Sequence, residues 1–145
     1  MNKYSKHNVR ATGFSLIEVI IAVAILGIIA AIAIPSYSAY MNKTRRVEAV
    51  TLLSEIAGEQ QRFFTENNRY ATTLTEMGYP AATELSENGF YSASVTASAG
   101  TSYTLTAAPV AGEPQENDTD CGSFTINSAG VKGVEGAAIA ADQCW

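Results

Sequence analysis

With 145 residues and a formal charge of −5, the chain is long enough for one domain with its own core plus one membrane helix. Residues 14–145 hold six Lys/Arg against 14 Asp/Glu, a side-chain balance of −8. A surface that acidic argues against general nucleic-acid binding, which needs clustered cations to release phosphate counterions, and leaves room only for a small basic patch.

Residues 1–13 carry Lys3, Lys6 and Arg10 and no acid. The stretch Phe14–Ile34 follows, 21 residues that are all apolar or small except Glu18. At a 1.5 Å rise per residue it makes roughly 31 Å of helix, enough to cross a bilayer's hydrocarbon core. The positive flank resists translocation and places the N-terminus on the cytoplasmic side. A carboxylate at membrane depth costs roughly 2.5–3.5 kcal/mol, so Glu18 needs a partner or a purpose. One reading lets it extend toward the headgroups from one turn inside.

A second reading comes from the flanking residues. Gly13-Phe14-Ser15-Leu16-Ile17-Glu18, after a short basic leader and before a long apolar run, resembles the signature of type IV prepilins. Gly27, Pro35 and Ser36-Tyr37 continue the resemblance at the family's usual offsets. It implies a membrane-embedded prepilin peptidase that cuts between Gly13 and Phe14 and N-methylates Phe14. It also makes Glu18 the family's assembly glutamate, five residues into the mature chain. A small residue at position 13 leaves the bond open to a protease. A carboxylate buried among apolar helices is best compensated by a cation, which the α-amino group of a neighbouring subunit's Phe14 would supply. The implied partners are other pilins, the peptidase and the inner-membrane assembly machinery. The implied location is the bacterial inner membrane, head in the periplasm, and then the cell-surface pilus.

The division that follows is a cleaved leader (1–13), an apolar helix (14–35) and a head (36–145). Pro35 removes one helical hydrogen bond and favours a kink. Beyond it Ala49, Leu53, Ile56 and Phe63 recur at helical steps, flanked by Val50, Leu52, Ala57 and Phe64, with Glu48, Ser54, Glu55, Glu59, Gln61 and Arg62 between them. The pattern predicts one helix to about Glu66, ended by Asn67-Asn68, with an apolar face for a head to cover. Lys43, Arg45 and Arg46 form a basic cluster at the outer boundary, suited to lipid phosphates, a neighbour's acids or plain solubility.

Residues 67–89 read as a connector, with Tyr70, Leu74, Met77 and Tyr79 packed as a short helical turn; the resemblance makes this the αβ-loop of subunit contacts. Thr-, Tyr- and Val-rich runs at 90–97 and 102–108 predict a hairpin turning at 98–101. Residues 109–120 read as an acidic loop, and 124–127 and 131–134 as further strands. The fold class is α+β: a long N-terminal helix packed on a small antiparallel sheet of three or four strands.

In an exported protein the pair Cys121 and Cys144 is most simply a disulfide. It would close a loop of about 24 residues, worth roughly 3–4 kcal/mol on the chain-entropy estimate. Cys121-Gly122-Ser123-Phe124-Thr125-Ile126-Asn127 and the terminal Asp142-Gln143-Cys144-Trp145 resemble minor pilins of the PilE type. Trp145 would shield the bridge, and Tyr70, Tyr79, Tyr91 and Tyr103 would fill core or rim.

Nothing assembles into an enzyme or calls for a cofactor. The sole histidine, His7, lies in the leader, and no Gly-rich phosphate loop follows a strand. Glu113, Glu116, Asp118 and Asp120 suggest calcium, but the rest of a binding loop is missing. The expected function is that of a structural subunit, a minor pilin serving pilus assembly, adhesion, twitching motility or DNA uptake. The alternatives are a pseudopilin of a type II secretion system and a soluble binding protein released after Ala31-Ile32-Ala33.

Overall fold

The computed structural model describes residues 13–98 and 100–145. The basic leader therefore lies outside the described residues except for Gly13, as does residue 99 of the expected 98–101 turn. In chain order the elements are helix α1 (Leu16–Asn67), a 3-10 turn η1 (Leu74–Met77), strands β1 (Thr83–Leu85), β2 (Tyr91–Ser98) and β3 (Tyr103–Pro109), a second 3-10 turn η2 (Pro114–Asn117), strands β4 (Ser123–Asn127) and β5 (Lys132–Glu135), and a terminal turn α2 (Ala141–Cys144). The chain divides into two compact units, residues 1–38 and 39–145.

The first unit is the opening part of α1. The helix does not stop at Pro35 but ends at Asn67, and Asn68 takes the left-handed conformation (φ 52°) expected of an asparagine after a helix.

The second unit is the head. Arg46, Ala49, Leu53, Ile56 and Gln60, at steps of three and four, form the buried face of its helix. That face shares a core with Leu74, Tyr91, Ala93, Tyr103, Leu105, Ala107 and Phe124. In β3 the alternation of buried Tyr103, Leu105 and Ala107 with half-buried neighbours shows one face of the sheet turned to this core.

The sheet has five strands in the order β1-β2-β3-β4-β5, each antiparallel to the next. The expectation of three or four strands therefore falls short by one or two. The added strand is β1, inside the stretch read as a connector, where Thr83 pairs with Ser94 and Leu85 with Ser92. It is a three-residue edge with Glu84 at its centre, short and charged in the way that discourages edge-to-edge pairing. The four expected strands all form. Tyr70 and Leu74 are buried and Met77 and Tyr79 half-buried around η1, as the connector's apolar residues predicted.

Candidate functional site

The first unit exposes what a water-soluble protein would bury. Leu16, Ile17, Val19, Ile20, Ile21 and Val23 stand at successive helical angles and are all at least half exposed, so no face is polar. The segment is long and apolar enough to cross a membrane. Phe14, just ahead of the helix, is 82% exposed.

Glu18 lies in the first turn of α1, where the helix dipole favours a negative charge. Ser15 caps that turn: its carbonyl accepts the Glu18 N–H at 3.1 Å and its Oγ lies 3.3 Å from the same nitrogen. The Ser15-x-x-Glu18 spacing is that of a capping box. The bonds shown are made by the backbone of residue 18; sequence reasoning weighed lipid and a partner amine for the Glu18 side chain and did not consider this spacing.

In the head, the basic cluster separates. Arg46 is buried and holds Asp118 with two hydrogen bonds, Nε to Oδ2 at 2.6 Å and Nη2 to Oδ1 at 2.7 Å. Asp120 Oδ2 is 3.6 Å from the same Nη2. Gln115, fully buried on η2, donates to the Tyr91 hydroxyl at 2.9 Å and approaches Asp118 Oδ2 at 3.3 Å. Burial pushes the Asp118 carboxyl up, but the Arg46 hydrogen bonds and charge more than offset this and hold it below the usual carboxylate range. Burial also pushes the Tyr91 phenol up. Arg46 is thus engaged inside the head rather than presented to lipid or solvent, and its partner is the Asp118 carboxylate. Among the described residues no group of three His, Cys, Asp or Glu converges on a metal position.

The other cations are largely engaged. Arg62 pairs with Glu59 and Arg69 with Glu76, while Arg45 lies over the Phe90 ring at 5.0 Å. Lys43 shares a groove of about 650 Å³ with Trp145, and Lys132 Nζ sits 4.8 Å from the Trp145 ring centroid.

Cys121 and Cys144 form a disulfide with their Cα atoms 5.7 Å apart. The backbone adds to it: Ala138 N–H reaches the carbonyls of Thr119 and Asp120, and Ile139 N–H that of Asp120. Trp145 donates its indole N–H to the Gly133 carbonyl at 2.9 Å and packs edge-on to Phe124. The tail is therefore pinned to β4 and β5, with Trp145 half-buried against Phe124.

Three comparisons bear on these features. A family model described as "Type IV minor pilin ComP, DNA uptake sequence receptor" matches residues 35–125, and one for the prokaryotic N-terminal methylation motif matches residues 9–34. The chain is 38% identical over 131 residues to the type IV major pilin protein PilA of Myxococcus xanthus, covering 88% of this chain and 57% of that one. It is 33% identical over 130 residues to the fimbrial protein EcpC of Eikenella corrodens, covering 88% and 71%. In fold it is similar to the crystal structure of the Neisseria meningitidis non-core minor pilin PilV, with a TM-score of 0.51 at 18% identity over 70% of this chain and 94% of that one.

Proposed function

This chain belongs to the type IV pilin family, and on that footing we propose that it is a minor pilin: a structural subunit held in the inner membrane by α1 and then drawn into a pilus. The carrying observation is the first unit, whose helix is apolar on every face. Such a surface needs lipid before assembly and other helices after it. In this reading the prepilin peptidase cuts between Gly13 and Phe14 and methylates the Phe14 amine, which then meets a neighbouring subunit's Glu18 in the filament. The head works as a folded cap with no catalytic part. A pseudopilin role is the less favoured alternative, since the minor-pilin model spans most of the head.

The ComP description adds a DNA-binding reading. Its support in this chain is narrow. With Arg46, Arg62 and Arg69 in ion pairs and Arg45 over a ring, the remaining head cations are Lys43, which shares a groove with Trp145, and Lys132, close to the Trp145 ring. Two lysines give little counterion release, so DNA contact is the lesser part of the proposal.

The deciding experiment is the N-terminus of the mature protein from membranes and from sheared filaments. A chain beginning with N-methylated Phe14 in both fractions is the expected result. A chain beginning at Ile34 would overturn the reading in favour of a secreted soluble protein.

A further inference from the structure

The turn between β1 and β2 carries exposed Asn88 and half-buried Gly89, neither with a role in the sheet ladder. Asn-Gly is the dipeptide most open to self-attack. With no Cβ on glycine to obstruct it, the deprotonated Gly89 nitrogen can add to the Asn88 side-chain carbonyl carbon. The new N–C bond closes a five-membered imide as ammonia leaves. Water then opens the ring at either carbonyl, leaving aspartate or isoaspartate with no change of oxidation state.

The folded head holds both reacting groups in other bonds. Glu48 on α1 accepts the Asn88 side-chain amide at 2.8 Å with Oε1 and the Asn88 backbone N–H at 3.2 Å with Oε2. The nucleophile's own hydrogen is donated to the Ser86 carbonyl at 2.9 Å. Ser86 is buried and fixed by a backbone bond to the Tyr91 carbonyl, while its Oγ accepts the Tyr91 N–H at 3.1 Å. Attack therefore requires the turn to come away from Glu48 and open.

We propose that Asn88-Gly89 is a masked deamidation site: Glu48 keeps it closed in the folded head, and opening of the β1–β2 turn exposes Asn88 to conversion into an acid that Glu48 then repels. The product is one-way for a physical reason. A carboxylate at position 88 loses the donor that Glu48 accepts and stands in a groove of about 600 Å³ already lined by Glu48, Glu55, Glu84 and Glu87. Like charges at that distance are destabilising, and isoaspartate also adds a methylene to the turn. The modified hairpin is left unclamped from α1. Conversion at the site thus grows with the time this part of the head spends open.

The test uses the full chain in detergent micelles at mildly alkaline pH. Peptide mapping by mass spectrometry follows the conversion at residue 88, and isoaspartate is quantified in parallel. The expected order of rates is urea-unfolded fastest, folded Glu48→Ala next, and folded wild type slowest. Two hydrogen bonds to a charged acceptor correspond to at least a roughly tenfold gap between the two folded forms. Glu48→Gln, which keeps a single acceptor oxygen, should fall between them. Glu55→Ala, which removes a groove carboxylate that does not touch Asn88, should match wild type. Far-UV circular dichroism confirms that each variant compared as folded is folded. Equal or slower conversion in folded Glu48→Ala, or none in the unfolded chain, would overturn the proposal.

Discussion

Arg46 and Asp118 lie 72 residues apart in sequence and meet in the head's least forgiving contact. Taking two charges out of water is costly, and here the cost is offset by a bidentate fork, by Gln115 and by the nearby Asp120. Removing one partner leaves the other buried and uncompensated. Arg46→Ala should therefore lower the head's unfolding free energy by about 3–5 kcal/mol in urea titrations. The acid limb offers a second readout. The Asp118 carboxyl is held below its ordinary value in the folded head, so its contribution is complete above the unfolded carboxylate's titration near pH ~4 and fades as pH falls through the lower folded value. Arg46→Ala should remove that acid-side loss and, with burial left to push the Asp118 carboxyl up, tilt this part of the profile toward gain of stability as pH falls. Partial warning of this pair is present in the sequence. Arg46 falls on the same helical stripe as Ala49, Leu53 and Ile56, where a cation must be buried or break the pattern. Its partner was not legible, because Asp118 looks like any acid in a solvated loop until the fold brings η2 over the helix.

Periodicity decided which elements could be read in advance. α1 joins an unbroken apolar run to a stretch of helical periodicity, β2 to β4 carry enough Thr, Tyr, Val and Ile to stand out, and the turn at 128–130 announces β5. Thr83-Glu84-Leu85 has no repeat to offer, and its pairing is dictated by the open edge of β2 rather than by its own composition. The start of β4, opposite the end of β5, was equally silent about its tightest point. Gly122 has a positive φ of 55°, and a Cβ there would overlap the Glu135 carbonyl oxygen and crowd the Gly136 carbon at 3.0 Å. Ser123 pairs with Glu135 next to it, and Cys121 precedes it in the disulfide. Only glycine lets the bridge and the strand pair come so close. Gly122→Ala should cost more than the ~1–2 kcal/mol of a left-handed residue alone, because backbone must move as well. Gly130→Ala is the matched control, with φ 76° and open space around its Cβ, and should cost only that strain. For a head of about this size each kcal/mol corresponds to roughly 4–8 °C of melting temperature, so calorimetry should separate the two variants clearly.

At the scale of the whole molecule the open question is what Glu18 is for, since three roles meet on one residue. As the acid three residues after Ser15 it has the spacing of a capping box, in which its side chain would steady the first turn of α1. As a charge in lipid it is a burden. As an assembly group it would meet the Phe14 ammonium of another subunit. Two substitutions separate these roles. Glu18→Gln keeps a side chain able to complete the capping box but has no charge; Glu18→Ala loses both. If capping dominates, Glu18→Gln should behave as wild type and Glu18→Ala should fail. If charge pairing dominates, both variants should enter the inner membrane and be processed at least as well as wild type, because removing a charge from an apolar helix eases its stay in lipid. Both should then be scarce in sheared filaments, since a charge pair in low dielectric selects one register over its neighbours even where its net energy is small. We expect the second pattern, measured by immunoblot of membrane and filament fractions in a strain whose other pilins are intact. Normal incorporation of Glu18→Gln would assign Glu18 to the helix end and remove it from the filament interface.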